Sequence, residues 1–434
     1  MRNNRKAHHG CPPRTRTGPL ARASAVTLAL LLAATACGRG TEGGSTGEDG
    51  LATGPGFDGK TITVGVNSAL TGPVAVVGKP LTEGNRVWFE HVNAEGGIAG
   101  KYKIELNKAD SHYDAATAVQ QYNRQKDDVV MFAQVLGTAI TKAVLPNLKR
   151  DNVVAAPASQ ESQWVGEPNL APLAAPYQIQ AINALDHYRK QGGPDSTICS
   201  LVQDDASGVA AQEGVDFAAR QLGFDVAARA TYRVGDKDMT GPVTQLKRAK
   251  CDAVFLAGSP TDAGTALGTA AKMKFAPQWL GQSTTWYPTI GESALKPYVE
   301  EHLLIVSEGP EWGDTSVPAM AQMLKDQRKY APKQEPSYYF AFGYVQAQLV
   351  TKILEKAVAS GDLSRDGVAK AVNTLGKVEF GGLTGDYTYG PPTKRSPSRG
   401  STMFKINMDK PFGLEAVSTN YSSAAAKAFT FDTP

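Results

Sequence analysis

Thr61-Ile62-Thr63-Val64-Gly65-Val66 places five β-branched residues around a single glycine, a composition that suits a strand packed on a pleated surface. An amphipathic stretch from Pro80 to Ala94 follows, and then a second β-rich run, Tyr102 to Leu106. The same alternation continues with a helix that Asp114 caps and that reaches about Lys126, a strand from Val129 to Val135, a helix from Ala139 to Arg150 and a strand from Val153 to Ala156. Strands separated by helices of this length imply a mostly parallel sheet covered on both faces, so the fold class is α/β.

A second unit then repeats the order. Its strands are expected at Thr197–Val202, Val226–Tyr232, Cys251–Ala257 and Gln278–Gly281, with helices at Gly208–Leu222, Gly241–Lys250 and Asp262–Lys274. One hydrophobic core rarely serves a folded length of roughly 370 residues, so two Rossmann-like lobes with parallel-sheet cores are expected. A long helical region, Val317 to Ser360, and short β-like runs, Val378 to Tyr389 and Ser401 to Asn407, break the rhythm. Assigning the helices to the first lobe and the strands to the second gives residues 58–176 with 309–376, and 177–308 with 377–434. The chain then crosses between lobes several times, which makes a hinge.

Arg2, Arg5, Lys6, Arg14, Arg16 and Arg22 precede an apolar run, Ala23 to Ala34, with no acidic residue among them. That is the pattern of a signal peptide over residues 1–36, and the run is too short to cross a bilayer. Ala34-Thr35-Ala36-Cys37 resembles a bacterial lipobox, making Cys37 the expected lipid attachment site on the outer face of the cytoplasmic membrane. Gly, Thr, Ser and Pro then dominate up to Gly56, as a flexible tether over 37–57 requires. Removing the six leader cations from 45 basic residues leaves 39 against 42 acidic ones, so no basic surface invites nucleic acid. With Cys11 discarded and Cys37 lipidated, Cys199 and Cys251 remain. Outside the cytoplasm such a pair can be oxidised, and the sequence leaves open whether it is.

Ligands of open parallel sheets bind beyond the carboxyl ends of the strands, where helix N-termini present unpaired N–H groups. The loops at those ends are Ser68-Ala69-Leu70-Thr71-Gly72-Pro73, Gly137-Thr138, Pro157-Ala158-Ser159-Gln160, Asp204-Asp205-Ala206-Ser207-Gly208, Gly258-Ser259-Pro260-Thr261 and Gln282-Ser283-Thr284-Thr285-Trp286. Single hydroxyls here are ordinary helix caps; their convergence from two lobes on one cleft is the signal. Trp164, Trp286 and Tyr287 are candidates for stacking, and the run Tyr338 to Tyr344 has the spacing of a core helix, with ligand stacking by one of its tyrosines as the lesser alternative. No G-x-S-x-G, H-E-x-x-H, P-loop or C-x-x-C occurs, and Gly54–Gly59 matches G-x-G-x-x-G on the wrong side of its strand. His91, His112, His187 and His302 lack metal-ligand spacing. Neither an enzyme nor a cofactor or metal site is expected.

The run Asn93-Ala-Glu-Gly-Gly-Ile-Ala-Gly100, with Thr71-Gly72-Pro73, Asp110, Gly137-Thr138 and Ala143-Val-Leu-Pro146, resembles the branched-chain amino-acid-binding family of type I periplasmic solute-binding proteins. The likeness covers about residues 60 to 410. It implies a Venus-flytrap monomer that closes on a small solute and delivers it to ABC permease subunits; a membrane sensor is the alternative recipient. It also implies ligand contacts at Ser68, Val77, Thr138, Ser159, Gln160, Tyr177, Ser207, Ser259, Ser283 and Thr284, with a ligand carboxylate held by Thr138 and by Ser159 or Gln160. The family's two acidic positions fall on Tyr177 and near Ser283, and its second-lobe aromatics on Ser207 and on Ser259 or Pro260. Without those acids an ammonium has no partner unless Asp204, Asp205 or Asp262 supplies one. The expected ligand is therefore a small polar solute, carboxylate-bearing and amino-acid-like or amide-like, that is larger than leucine or lacks a free α-ammonium.

Overall fold

A computed structural model describes residues 45–46 and 50–431. The signal segment 1–36, Cys11, Cys37 and most of the tether lie outside the described residues. In the first lobe, β1 (Thr61–Ser68), α1 (Ala75–Ala94), β2 (Lys103–Asp110), α2 (Ala115–Gln125), β3 (Phe132–Leu136), α3 (Thr138–Asp151) and β4 (Ala155–Ala158) build a parallel sheet ordered β2-β1-β3-β4. Every residue of β3 and β4 is buried, which is why these strands read as unbroken apolar runs and not as an alternation.

The second lobe begins with α4 (Tyr177–Lys190) and continues through β5 (Ile198–Gln203), α5 (Ala206–Leu222), β6 (Val226–Tyr232), α6 (Thr240–Arg248), β7 (Ala253–Ala257), α7 (Pro260–Lys272), β8 (Gln278–Gln282) and β9 (Leu303–Ser307). The chain returns to the first lobe for α8 (Pro318–Tyr330), α9 (Tyr338–Ala359), α10 (Arg365–Thr374), β10 (Gly376–Val378) and β11 (Tyr387–Tyr389). It crosses once more for β12 (Ser401–Ile406) and β13 (Leu414–Tyr421), which complete a sheet ordered β13-β12-β9-β8-β7-β5-β6. Its first five strands from the β6 edge are parallel and its last two antiparallel. No helix among the described residues is long and apolar enough to cross a membrane.

Several expectations are corrected. Helix α1 starts five residues before Pro80, because Val74, Val77 and Leu81 are buried and extend one apolar stripe across the proline. The single helical region from Val317 to Ser360 is two helices, separated where Pro332 and Pro336 interrupt it, and Ser337 Oγ caps the second by accepting from Tyr339 N at 3.2 Å. Val378, Phe380, Leu383, Tyr387 and Tyr389 pack into the first lobe's core and not the second's. Tyr389 Oη, donating to Pro172 O at 2.6 Å, and Arg395, donating to Glu167 O and Leu170 O, hold that segment there. The end of the expected tether is structured too. Leu51 is buried, Ala52–Thr53 pairs with Asp362–Leu363, and the Phe57 ring meets Tyr102 edge to face at 5.0 Å.

Two features fix the frame around the cleft. Helices α1 and α9 cross backbone to backbone, where a Cβ at Gly84 would lie 2.1 Å from Phe340 O and one at Gly343 would lie 1.9 Å from Leu81 O. In the second lobe a disulfide joins Cys199 and Cys251, whose Cα atoms are 5.8 Å apart. It closes a loop of 52-residue separation, and cross-links of this span stabilise a fold by about 2–4 kcal/mol.

Candidate functional site

The carboxyl ends of β3, β4, β5, β7 and β8 converge on a cavity between the lobes. Eight of the ten candidate residues line it: Val77, Thr138, Ser159, Gln160, Tyr177, Ser207, Ser259 and Thr284. Ser283 lines an adjoining cavity at the hinge. Ser68 lines neither; its buried Oγ accepts from Gln134 Nε2 at 2.6 Å and ties β1 to β3 behind the wall.

Gly137 gives the first lobe its cavity-facing end. Its φ of 108° turns the chain sharply from β3 into α3, a conformation that favours glycine. The next three residues open the 14-residue helix, and the first internal bond, from Thr141 N to Gly137 O, leaves their N–H groups without helical partners. Thr138 lines the cavity, is 1 % exposed, and its Oγ1 has no protein partner. A hydroxyl donor beside the positive end of a helix is suited to a carboxylate. Ser159 Oγ accepts from Trp164 Nε1 at 3.0 Å. Trp164 thus orients a cleft hydroxyl from the core and is not part of the cavity lining.

The second lobe presents neutral acceptors. Ser207 Oγ donates to Asp205 Oδ1 at 2.6 Å, and Ser259 Oγ donates to Asp262 Oδ2 at 2.8 Å. Each hydroxyl hydrogen is committed to a carboxylate, so these serines offer a ligand only lone pairs. The carboxylates themselves stay behind the wall. Asp205 caps α5 and accepts from Gln203 Nε2 at 2.6 Å, Asp262 accepts from Gly235 N at 2.9 Å, and Asp204 is exposed. Burial raises the Asp262 pKa. Among the described residues, no Asp, Glu, Lys, Arg or His lines the cavity.

Tyr113, Tyr338, Tyr339 and Phe342 form an aromatic wall, where the sequence favours a core role for the run from Tyr338 and offers stacking by one tyrosine only as the lesser alternative. The missed signal is the pair Tyr338 and Phe342, four residues apart on one face of α9, while Phe340 and Tyr344 turn into the core. Tyr339 Oη donates to Thr284 O at 2.6 Å and links the lobes. Burial raises the pKa of all three tyrosines, so they remain neutral. Trp286 lines the hinge cavity with its Nε1 donating to Phe412 O. Tyr287 lies in a separate groove with Lys79 and Glu83.

Glu308 joins the hinge segments. Its carboxylate accepts from Gln160 Nε2 at 2.6 Å, Ala175 N at 3.2 Å and Thr384 Oγ1 at 2.5 Å, drawing together the residues after β4, after β9 and before β11. None of these partners is cationic, and burial pushes the pKa up to about 7 from the ordinary 4.5. The folded protein therefore holds a proton that the unfolded chain releases, so stability falls as pH rises from about 4.5 to about 7. The loss is about 3 kcal/mol once both states are ionised. Glu308→Gln is expected to flatten that decline, and equal slopes of unfolding free energy between pH 5 and 8 in both proteins would refute the assignment.

Two α/β lobes, three chain crossings and a hydrogen-bonding cavity between them define a hinged solute-binding protein. A family model described as periplasmic binding protein matches residues 61–411, and the chain belongs to that family. It is 25% identical over 364 residues to Leu/Ile/Val-binding protein homolog 3 of Brucella melitensis, covering 82% of this chain and 94% of that one. Among solved structures, the fatty acid ABC transporter substrate-binding protein from Thermomonospora curvata matches with a TM-score of 0.83 at 26% identity, over 90% of this chain and 99% of that one. A branched-chain amino acid ABC transporter from Thermus thermophilus with bound valine matches with a TM-score of 0.72 over 86% and 98%, but at 16% identity it is a likeness of fold alone.

Proposed function

We propose that this chain is an extracytoplasmic binding protein, anchored through Cys37, that delivers a carboxylate with an extended apolar body, such as a fatty acid, to an ABC importer. The observation that carries this reading is the charge-free lining of the cleft. An amino acid brings an ammonium as well as a carboxylate, and burying an unpaired ammonium is prohibitive. The neutral lone pairs of Ser207 and Ser259 do not balance a full charge. A simple carboxylate needs only the donors at Thr138 and the N-terminus of α3, and the aromatic wall suits an apolar body. The Thermomonospora curvata protein, named for fatty acid transport, agrees with this choice.

Titration calorimetry on ligand-stripped protein is the test. Medium-chain and long-chain fatty acids are expected to bind, and leucine or valine to give no measurable heat. Tight leucine binding with no response to fatty acids would refute the reading.

A further inference from the structure

A second cavity lies at the hinge beside the cleft. Its walls are apolar, with Trp286, Ile305 and Phe404 of the second lobe facing Met320, Val345 and Leu383 of the first. Tyr338 and Phe342 line both cavities and so form the partition between them. We propose that this hinge cavity is the tail compartment of the ligand site, receiving the distal hydrocarbon of a long-chain carboxylate whose head is held at Thr138. The proposal rests on the carboxylate reading above and adds a second chamber and a chain-length rule to it.

The partition is built to yield. Tyr338 Oη and Ser283 Oγ reach Gln160 Oε1 at only 3.3 and 3.4 Å, at the long end of hydrogen bonding, and Phe342 has no polar tie. A change of rotamer at one of these rings is required to join the two spaces. The polar groups of the hinge cavity exclude a ligand head. The Glu308 carboxyl group has its bonds satisfied within the protein, and Thr384 is committed to it. Ser307 Oγ, 3 % exposed, is a buried polar atom of this lining without a protein partner. A chamber with apolar walls, cut off from the carboxylate end, is a place for methylenes. Each methylene it buries contributes roughly fourfold in affinity.

Ala341 lines the hinge cavity but not the cleft, so Ala341→Phe fills the one and spares the other. Binding of hexanoate, decanoate and hexadecanoate is measured on wild type and variant by calorimetry. Wild-type affinity is expected to rise along the series, and the variant to keep hexanoate affinity within about twofold while losing at least about tenfold for hexadecanoate. Retained hexanoate binding also reports that the variant is folded; Leu383→Trp fills the same cavity if it is not. Phe342→Ala, which removes the partition, is expected to favour hexadecanoate further. Saturable binding in which the filling variants leave the chain-length profile unchanged, or weaken every acid equally, would overturn the tail compartment and leave the carboxylate reading standing. No binding of any of the three acids by the wild type would overturn both.

Discussion

Thr138→Val is expected to weaken ligand binding by about 10- to 100-fold while leaving the melting temperature of the ligand-free protein unchanged or slightly raised. The substitution replaces a hydroxyl by a methyl of similar shape. In the free protein that hydroxyl is buried and bonds to nothing in the protein, so its removal breaks no native contact. With a carboxylate bound, the lost interaction is a charge-assisted hydrogen bond of about 1.5–3 kcal/mol. The asymmetry between the two states is the diagnostic. A purely structural threonine would lose stability with affinity intact, and unchanged calorimetric affinity would remove Thr138 from the site.

Gly343→Ala carries the other large effect, this time on the fold. A Cβ 1.9 Å from Leu81 O and 2.8 Å from Leu81 C cannot be absorbed by a side-chain shift, since both atoms are backbone of α1. The helices must separate along the interface that carries most of the first lobe's core, and a cost above about 4 kcal/mol is expected. The cleft fails with it, because Leu81 of α1 and Phe342 of α9 are both wall residues. Gly268→Ala is the control: its Cβ would meet only Leu295 methyls at 3.7 and 4.0 Å. In that helical position alanine is expected to stabilise by about 0.5–1 kcal/mol. Similar denaturant midpoints for the two variants would contradict the packing account.

The sheets were legible because buried parallel strands read as short β-rich runs bounded by helices, and the second unit repeats the first closely. What escaped has physical causes. Helix α4 is buried on all sides from Tyr177 to His187, so it shows no amphipathic stripe. Val378 to Tyr389 looks like any edge hairpin, and nothing local reveals which lobe will cover it. Pro80 reads as a helix start although the apolar stripe runs past it. At the site, the rule that ligands lie beyond strand ends found the hydroxyl loops. It could not find Tyr338 or Phe342, because one helix serves core and cleft together, nor the aspartates that turn Ser207 and Ser259 into acceptors.

The return of α9 to the first lobe also sets a timetable. The lobe opens at Leu51 and is not finished until Tyr389, with the whole parallel part of the other lobe made in between. A chain synthesised from its N-terminus holds the face of α1 around Gly84 uncovered until α9 arrives, some 250 residues later. During that interval an apolar surface is open to wrong partners, as in any fold that must await distant contacts. The nascent first lobe is thus a natural client for a holding chaperone, and any fragment ending before Tyr338 is a poor candidate for independent expression.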